Sequence, residues 1–226
     1  QRTEAGLPVL ALAGYTNAGK STLMNALTSA GVVSSNIMFA TLDPTTRQVE
    51  LPNELQVLLT DTVGFIQKLP TDLVAAFRAT LGEIQEADGI LHVLDVSHPD
   101  AGAHASTVEA ELRELRVDDR PRLTVLNKVD CIASERLPML LKQYSNAVAV
   151  SAITGFGLEA LRRKMADTVT AGFVAIKVRI PYNAAQDVHL FHRRGLVEKE
   201  AHRSSGTDIT GKLPAALIPK FEPYLR

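Results

Sequence analysis

The chain of 226 residues contains one cysteine, Cys131. A lone thiol excludes an intramolecular disulfide, and no Cys/His grouping has zinc spacing, so neither a covalent staple nor a structural metal is expected. A reducing compartment is the simpler expectation. No uninterrupted apolar run reaches the length that crosses a bilayer, and no basic-then-apolar leader opens the chain, so no membrane partner is expected. Residues 1–7 read as a linker remnant of a longer protein, so the missing leader carries no weight. Disordered and collagen-like stretches are also lacking. Hydrophobic residues at 46% and charged residues at 22% are globular proportions, and the length suits one large domain or one domain plus a small one. Net charge is nearly absent, at −1, but residues 174–226 hold nine Lys/Arg against five Asp/Glu, and the remainder fifteen against twenty. A positive excess on a small terminal module suits a nucleic acid or an acidic protein, or is a solvated face.

Hydrophobic periodicity places buried strands at Val9–Ala13 and Gly89–Val96, with further strands at Arg47–Leu51, Leu55–Thr60, Arg122–Leu126 and Ala147–Val150. Helices are predicted from about Gly19 to Thr28, and over Thr71–Glu86, Ala105–Leu115, Glu135–Gln143 and Leu158–Val169, with a loop over Val33–Thr46. This alternation predicts an α/β fold over residues 8–172, a mostly parallel sheet flanked by helices, with ligands at the carboxyl ends of its strands. After Gly172 the pattern changes. Strands are predicted at Val174–Ile180, Leu196–Ala201 and Thr207–Leu213, with helices at Ala184–Arg194 and Ala215–Phe221 and a turn at Ser204-Ser205-Gly206. Residues 173–226 thus read as a small α+β domain of the form βαββ(α).

The chemistry falls at the predicted strand ends. Gly14-Tyr15-Thr16-Asn17-Ala18-Gly19-Lys20-Ser21-Thr22 satisfies G-x-x-x-x-G-K-[ST] between a strand and a helix. Glycines let the backbone wrap phosphate oxygens, and the N–H groups and helix N-terminus meet their charge. Lys20 can reach the β- and γ-phosphates and the Ser21 hydroxyl can ligate Mg²⁺. Asp61-Thr62-Val63-Gly64 follows a strand, so its carboxylate can hold Mg²⁺ through water and the Gly64 N–H can bond the γ-phosphate. Asn127-Lys128-Val129-Asp130 follows another strand. An aspartate there pairs with the N1–H and N2 amino group of guanine, a donor pair adenine lacks. Asn127 can tie the base loop to the phosphate loop, and the Lys128 stem can cover a face of the base. A backbone N–H at Ser151-Ala152 can contact the guanine carbonyl. In Thr41-Leu42-Asp43-Pro44-Thr45-Thr46, one threonine should serve Mg²⁺ and the γ-phosphate. Thr45 is preferred, ahead of Thr46 and then Thr41.

The position after D-x-x-G carries Phe65 where many GTPases place a glutamine that orients water. Slow intrinsic hydrolysis, accelerated by a partner, is therefore expected. Asn17 offers an amide oxygen that could help bind K⁺ beside the phosphates, or it could hydrogen-bond within its own turn. Phe65, Ile66 and Leu69 either present an apolar surface or pack beneath one. His92 and His98 offer no nucleophile–base pair, and His92 reads as a satisfied strand residue.

Three segments resemble the HflX family of GTPases beyond the generic motifs: 14–23; Phe39-Ala40-Thr41-Leu42-Asp43-Pro44-Thr45-Thr46-Arg47; and Asp61-Thr62-Val63-Gly64-Phe65-Ile66 with Leu69-Pro70 and Leu73-Val74-Ala75-Ala76-Phe77. The resemblance covers about 8–172 and, more loosely, the module after 174. It implies a GTPase with Mg²⁺ as cofactor that hydrolyses GTP to GDP and phosphate. It also implies binding to the large ribosomal subunit, through rRNA and ribosomal proteins, to help dissociate stalled or idle ribosomes. Lys20, Ser21, Thr45, Asp61 and Gly64 would be the phosphate and Mg²⁺ residues, and Asn127, Lys128 and Asp130 would read guanine. The family shares the hydrophobic residue at 65. Its members usually carry an N-terminal domain and helical linker that these residues lack, and they occur in bacteria and organelles, so cytoplasm or an organelle is expected. A monomer is expected. The alternatives are a ribosome-assembly GTPase and a nucleotide-gated binding module. In the C-terminal module, Arg193, Arg194, Lys199 and Arg203 are the candidate contacts.

Overall fold

Nine strands form two sheets in the computed structural model, which describes residues 7–28, 45–62, 64–65 and 82–226. The first sheet has the order β2-β3-β1-β4-β5-β6. Its strands are β1 (Val9–Gly14), β2 (Thr45–Glu50), β3 (Gln56–Asp61), β4 (Gly89–Asp95), β5 (Arg122–Asn127) and β6 (Ala147–Ala149). All pairings are parallel except β2 with β3. Helices α1 (Lys20–Thr28), α2 (Ala101–Glu114), α3 (Leu137–Gln143) and α4 (Leu158–Thr170) flank it.

The central strands are buried on both faces, which is why they read as continuous apolar runs. On one face Leu10, Leu12, Leu59 and Leu91 pack with Leu23 and Leu27 of α1 and with Leu161 and Met165 of α4. On the other, Ala11, Ala13 and Ile90 pack with Val108 and Leu112 of α2. Parallel pairing brings Gly14, Asp61, Asp95 and Asn127, each the last residue of its strand, to one edge of the sheet.

The second sheet is antiparallel, β7 (Val174–Ile180), β9 (Gly206–Leu213) and β8 (Leu196–Arg203) in spatial order. Helix α5 (Ala185–Arg194) and the short α6 (Ile218–Phe221) accompany it. Its core holds Ile176, Val178, Ile180, Phe191, Ile209, Leu213 and Phe221, with the Phe191 and Phe221 rings edge to face at 5.5 Å. Lys220 and Tyr224 reach the buried Asp187 carboxylate at 2.9 and 2.8 Å, fastening the last segment to α5. The same helix meets the β2–β3 turn, where Arg193 Nε donates to Gln56 Oε1 at 3.1 Å and His192 lies 3.7 Å from Glu54.

Some boundaries depart from the sequence reading. Thr45 and Thr46, assigned to a loop, are the first residues of β2. The polar run Thr45-Thr46-Arg47-Gln48 has no hydrophobic period, and only pairing with β3 makes it a strand. The rest of the loop, residues 33–44, lies outside the described residues, as do 71–81 of the helix predicted over Thr71–Glu86, whose residues 82–86 are helical. Helix α2 begins at Ala101 rather than Ala105, because its first turn is solvent-facing and carries no apolar period. The hairpin turn shortens to Ser204-Ser205, and β8 runs on to Arg203. Among the described residues no helix is long and apolar enough to cross a membrane.

Candidate functional site

The loop between β1 and α1 curls over the carboxyl edge of the first sheet. Lys20, the first residue of α1, is buried and donates from Nζ to the Gly14 and Tyr15 carbonyls at 3.1 and 3.2 Å. Burial pushes its ammonium down to about 8, against the attraction of Asp61. A strongly desolvated cation, ringed by loop backbone, is arranged to gain from an incoming polyanion. Ser21 Oγ donates to Asp61 Oδ2 at 2.6 Å, so the two proposed Mg²⁺ groups meet although forty positions separate them in the chain. Thr22 follows on α1, half-buried.

Strand β3 delivers Asp61 beneath this loop, and the chain returns to it at once. Phe65 N–H donates to Gly14 O and Thr16 N–H donates to Phe65 O, both at 3.0 Å. Gly64 is thereby pressed against the loop: a Cβ there would lie 2.8 Å from Thr16 Cα and 2.9 Å from Lys20 Nζ. The Phe65 ring is buried with Ile84, Ile90 and Val108, so it packs beneath the surface rather than forming it. Ile66 and Leu69 lie outside the described residues. Thr45 is the cross-strand partner of Asp61, while Thr46 Oγ1 pairs with Thr60 Oγ1 at 2.9 Å. Thr41 lies outside the described residues. Asn17 is exposed, with a left-handed φ of 62°.

Asn127 joins three segments. Its Nδ2 donates to Ala18 O at 2.9 Å, and its Oδ1 accepts the Ala152 N–H at 3.2 Å. The side chain is buried, so each bond is made in low dielectric where its loss is costly. Gly19, at φ 93°, leaves room for it, since a Cβ would stand 2.4 Å from Asn127 Nδ2. Asp130 is solvent-exposed, and a hydrogen bond from the Ser151 side chain holds its carboxyl below the usual range. The phosphate loop, the N-K-x-D loop and the Ser151-Ala152 loop therefore form one hydrogen-bonded unit.

Sequence reasoning missed Asp95. It accepts a 2.7 Å hydrogen bond from Lys128 Nζ, and the Ser97 N–H and hydroxyl both donate to its other oxygen. Burial pushes the Asp95 carboxyl up, but the bonds from Lys128 and Ser97 outweigh it and hold the carboxyl down. Lys128, itself left-handed at φ 64°, thus has its ammonium pinned by Asp95. The available signal was positional: Asp95 ends β4 as Asp61 ends β3. The Ser151 side chain was also overlooked, because only its backbone was assigned a contact.

His92 corrects another expectation. It is buried in β4, and its Nε2 has no hydrogen-bond partner among the described residues. Burial first, and then the nearby Arg122, pushes its imidazole down to about 4, so it is neutral and structural.

Residues 9–128 match a family described as 50S ribosome-binding GTPase. The chain is 50% identical over 221 residues to the GTPase HflX of Alkalihalophilus pseudofirmus, covering 92% of this chain and 52% of that protein. It is 40% identical over 225 residues to the GTPase HflX of Chlamydia pneumoniae, covering 99% and 48%. A solved GTP-binding protein from the archaeon Sulfolobus solfataricus, in complex with GDP, is 30% identical with a TM-score of 0.57, covering 73% of this chain and 53% of its own. The chain spans about half the length of the curated relatives it matches.

Proposed function

We infer the function from one premise: this chain belongs to the 50S ribosome-binding GTPase family and, within it, to the HflX GTPases. On that premise we propose that it binds guanine nucleotides and hydrolyses GTP to GDP and phosphate. It would act as a nucleotide-controlled switch on the large ribosomal subunit, helping to dissociate stalled or idle ribosomes. Residues 8–172 would form the nucleotide-binding domain and residues 173–226 an accessory domain.

The observation that carries the reading is the Asn127 latch, which holds a phosphate-binding loop against a base-reading loop. Lys20 would neutralise the β- and γ-phosphates, Gly64 would offer its N–H to the γ-phosphate, and Asp130 would accept from guanine. The oxygen donors Ser21 and Asp61, already 2.6 Å apart, fit a hard cation, and Thr45 opposite Asp61 would complete the set for Mg²⁺. When bound, Mg²⁺ would neutralise charge on the phosphates. Phe65 cannot orient water, which supports slow intrinsic turnover and stimulation by a partner. The exposed Asn17 amide would be free to assist K⁺, so hydrolysis should run faster in KCl than in NaCl, and equal rates would dismiss the cation.

The test is co-sedimentation with ribosomal subunits in GDP, GTP and a non-hydrolysable analogue, run beside a titration with labelled nucleotides. Nucleotide-dependent retention on the large subunit is expected. Indifference to nucleotide would end the switch reading, and equal uptake of adenine nucleotides would end the guanine reading.

A further inference from the structure

The C-terminal sheet has two faces, and only one is filled. Ile176, Val178 and Ile180 pair with Gly211, Ile209 and Thr207 and are covered by Phe191 and Phe221. Strand alternation puts the intervening residues on the opposite face. There the register sets Lys177 and Arg179 of β7, Lys212 of β9, and Lys199 and Arg203 of β8 side by side. Between them stand the small side chains Ala175, Ala201 and Thr210, and Leu196, opposite Lys212, marks one end of the face. Arg226 joins the edge, its N–H donating to Lys177 O at 3.0 Å.

Against these six cations the face carries Asp208 and Glu198, the latter 3.8 Å from Lys212. Asp208 acts as an organiser. Arg179 grips it with two bonds, at 2.6 and 2.8 Å, Arg226 with one at 3.2 Å, and Arg203 stands 3.6 Å away. One carboxylate thus gathers three guanidinium groups and leaves a surplus of positive charge in fixed positions. Arg203 and Arg226 remain 61% and 41% exposed at the side chain, so donors point to solvent. No aromatic residue interrupts the face, so bases have nothing to stack on, whereas a phosphate backbone can approach closely over alanine and threonine.

We propose that this face binds the phosphodiester backbone of double-stranded RNA, without sequence preference. The proposal refines the ribosomal reading by naming the surface that meets RNA, and it rests on that reading. It separates the contacts from Arg193 and Arg194, which belong to α5 on the covered side.

The full chain is titrated with a labelled RNA duplex of about 16 base pairs at several salt concentrations. Lys177→Ala/Arg203→Ala should weaken binding about tenfold and flatten the log–log salt dependence by roughly 1.5. Arg193→Ala/Arg194→Ala should leave both nearly unchanged. Lys199→Ala/Lys212→Ala, on the same face, should repeat the loss if the first pair folds poorly. GDP affinity should be that of the parent in all three, which keeps failure here separate from failure of the nucleotide reading. Unaltered duplex binding by both face variants, or an equal loss in the α5 variant, overturns the proposal. Tighter binding of a poly-glutamate peptide than of RNA overturns it in favour of an acidic protein.

Discussion

Phe65 occupies the position from which a glutamine would reach the attacking water, yet its ring is part of the core beneath that position. Restoring a glutamine should therefore fail as a repair. Phe65→Gln is expected to cost about 3 kcal/mol of stability, from lost packing and a buried amide, without raising the single-turnover rate. Chemical denaturation and a stopped assay check both parts, and a faster rate would refute the packing argument. Lys20 gives a second prediction. In the nucleotide-free protein it titrates at about 8, lowered from 10.5 by burial. GTP affinity should be level below that pH and decline above it, with proton uptake on binding, measurable by calorimetry in two buffers. The sign for folding is opposite: the unfolded chain holds this proton more tightly, so the group adds stability as pH rises from about 8 to 10.5. These properties reside in burial, which no motif records. Spacing singled out Lys20, Ser21 and Asp61 as candidates, but the depressed ammonium and the 2.6 Å contact were not legible in it.

At the scale of elements, the central strands of the first sheet were legible because burial on both faces makes them largely apolar. Their helices were legible from period, and the motifs fell at strand ends for the same reason. Strand β2 was misjudged at its start because a polar edge strand owes its existence to its neighbour. Asp95 escaped notice because pairing it with Lys128 needs the parallel register of β4 and β5, a long-range fact. The loops act as a unit through Asn127, and Gly19 is what lets that side chain in. Gly19→Ala would add a Cβ 2.4 Å from Asn127 Nδ2 on a left-handed backbone. A loss of about 1–2 kcal/mol in stability, and at least about tenfold in GDP affinity, is expected. Binding titration and thermal melting read these losses, and unaltered GDP affinity would show that the loops are not coupled this way.

For the whole molecule, the buried His92 sets an acid limit. The folded protein holds it neutral down to about 4, whereas the unfolded chain protonates near 6.5. Its contribution is intact above 6.5 and is lost as pH falls toward 4, by roughly 3 kcal/mol at most. His92→Leu should narrow the difference in urea midpoint between pH 7 and 4.5, and an unchanged difference would assign acid sensitivity elsewhere. The division into a parallel and an antiparallel sheet was readable in the shift of pattern after Gly172. The seam was not, because Arg193–Gln56 joins residues 137 positions apart.

The scarcity of sulfur has a practical side. The lone thiol, Cys131, is exposed and sits 3.4 Å from an oxygen of Asp130. A maleimide dye would therefore attach at one address, beside the carboxylate proposed to greet the purine. Its emission would follow nucleotide arrival and departure in real time, with no residue needing to be engineered.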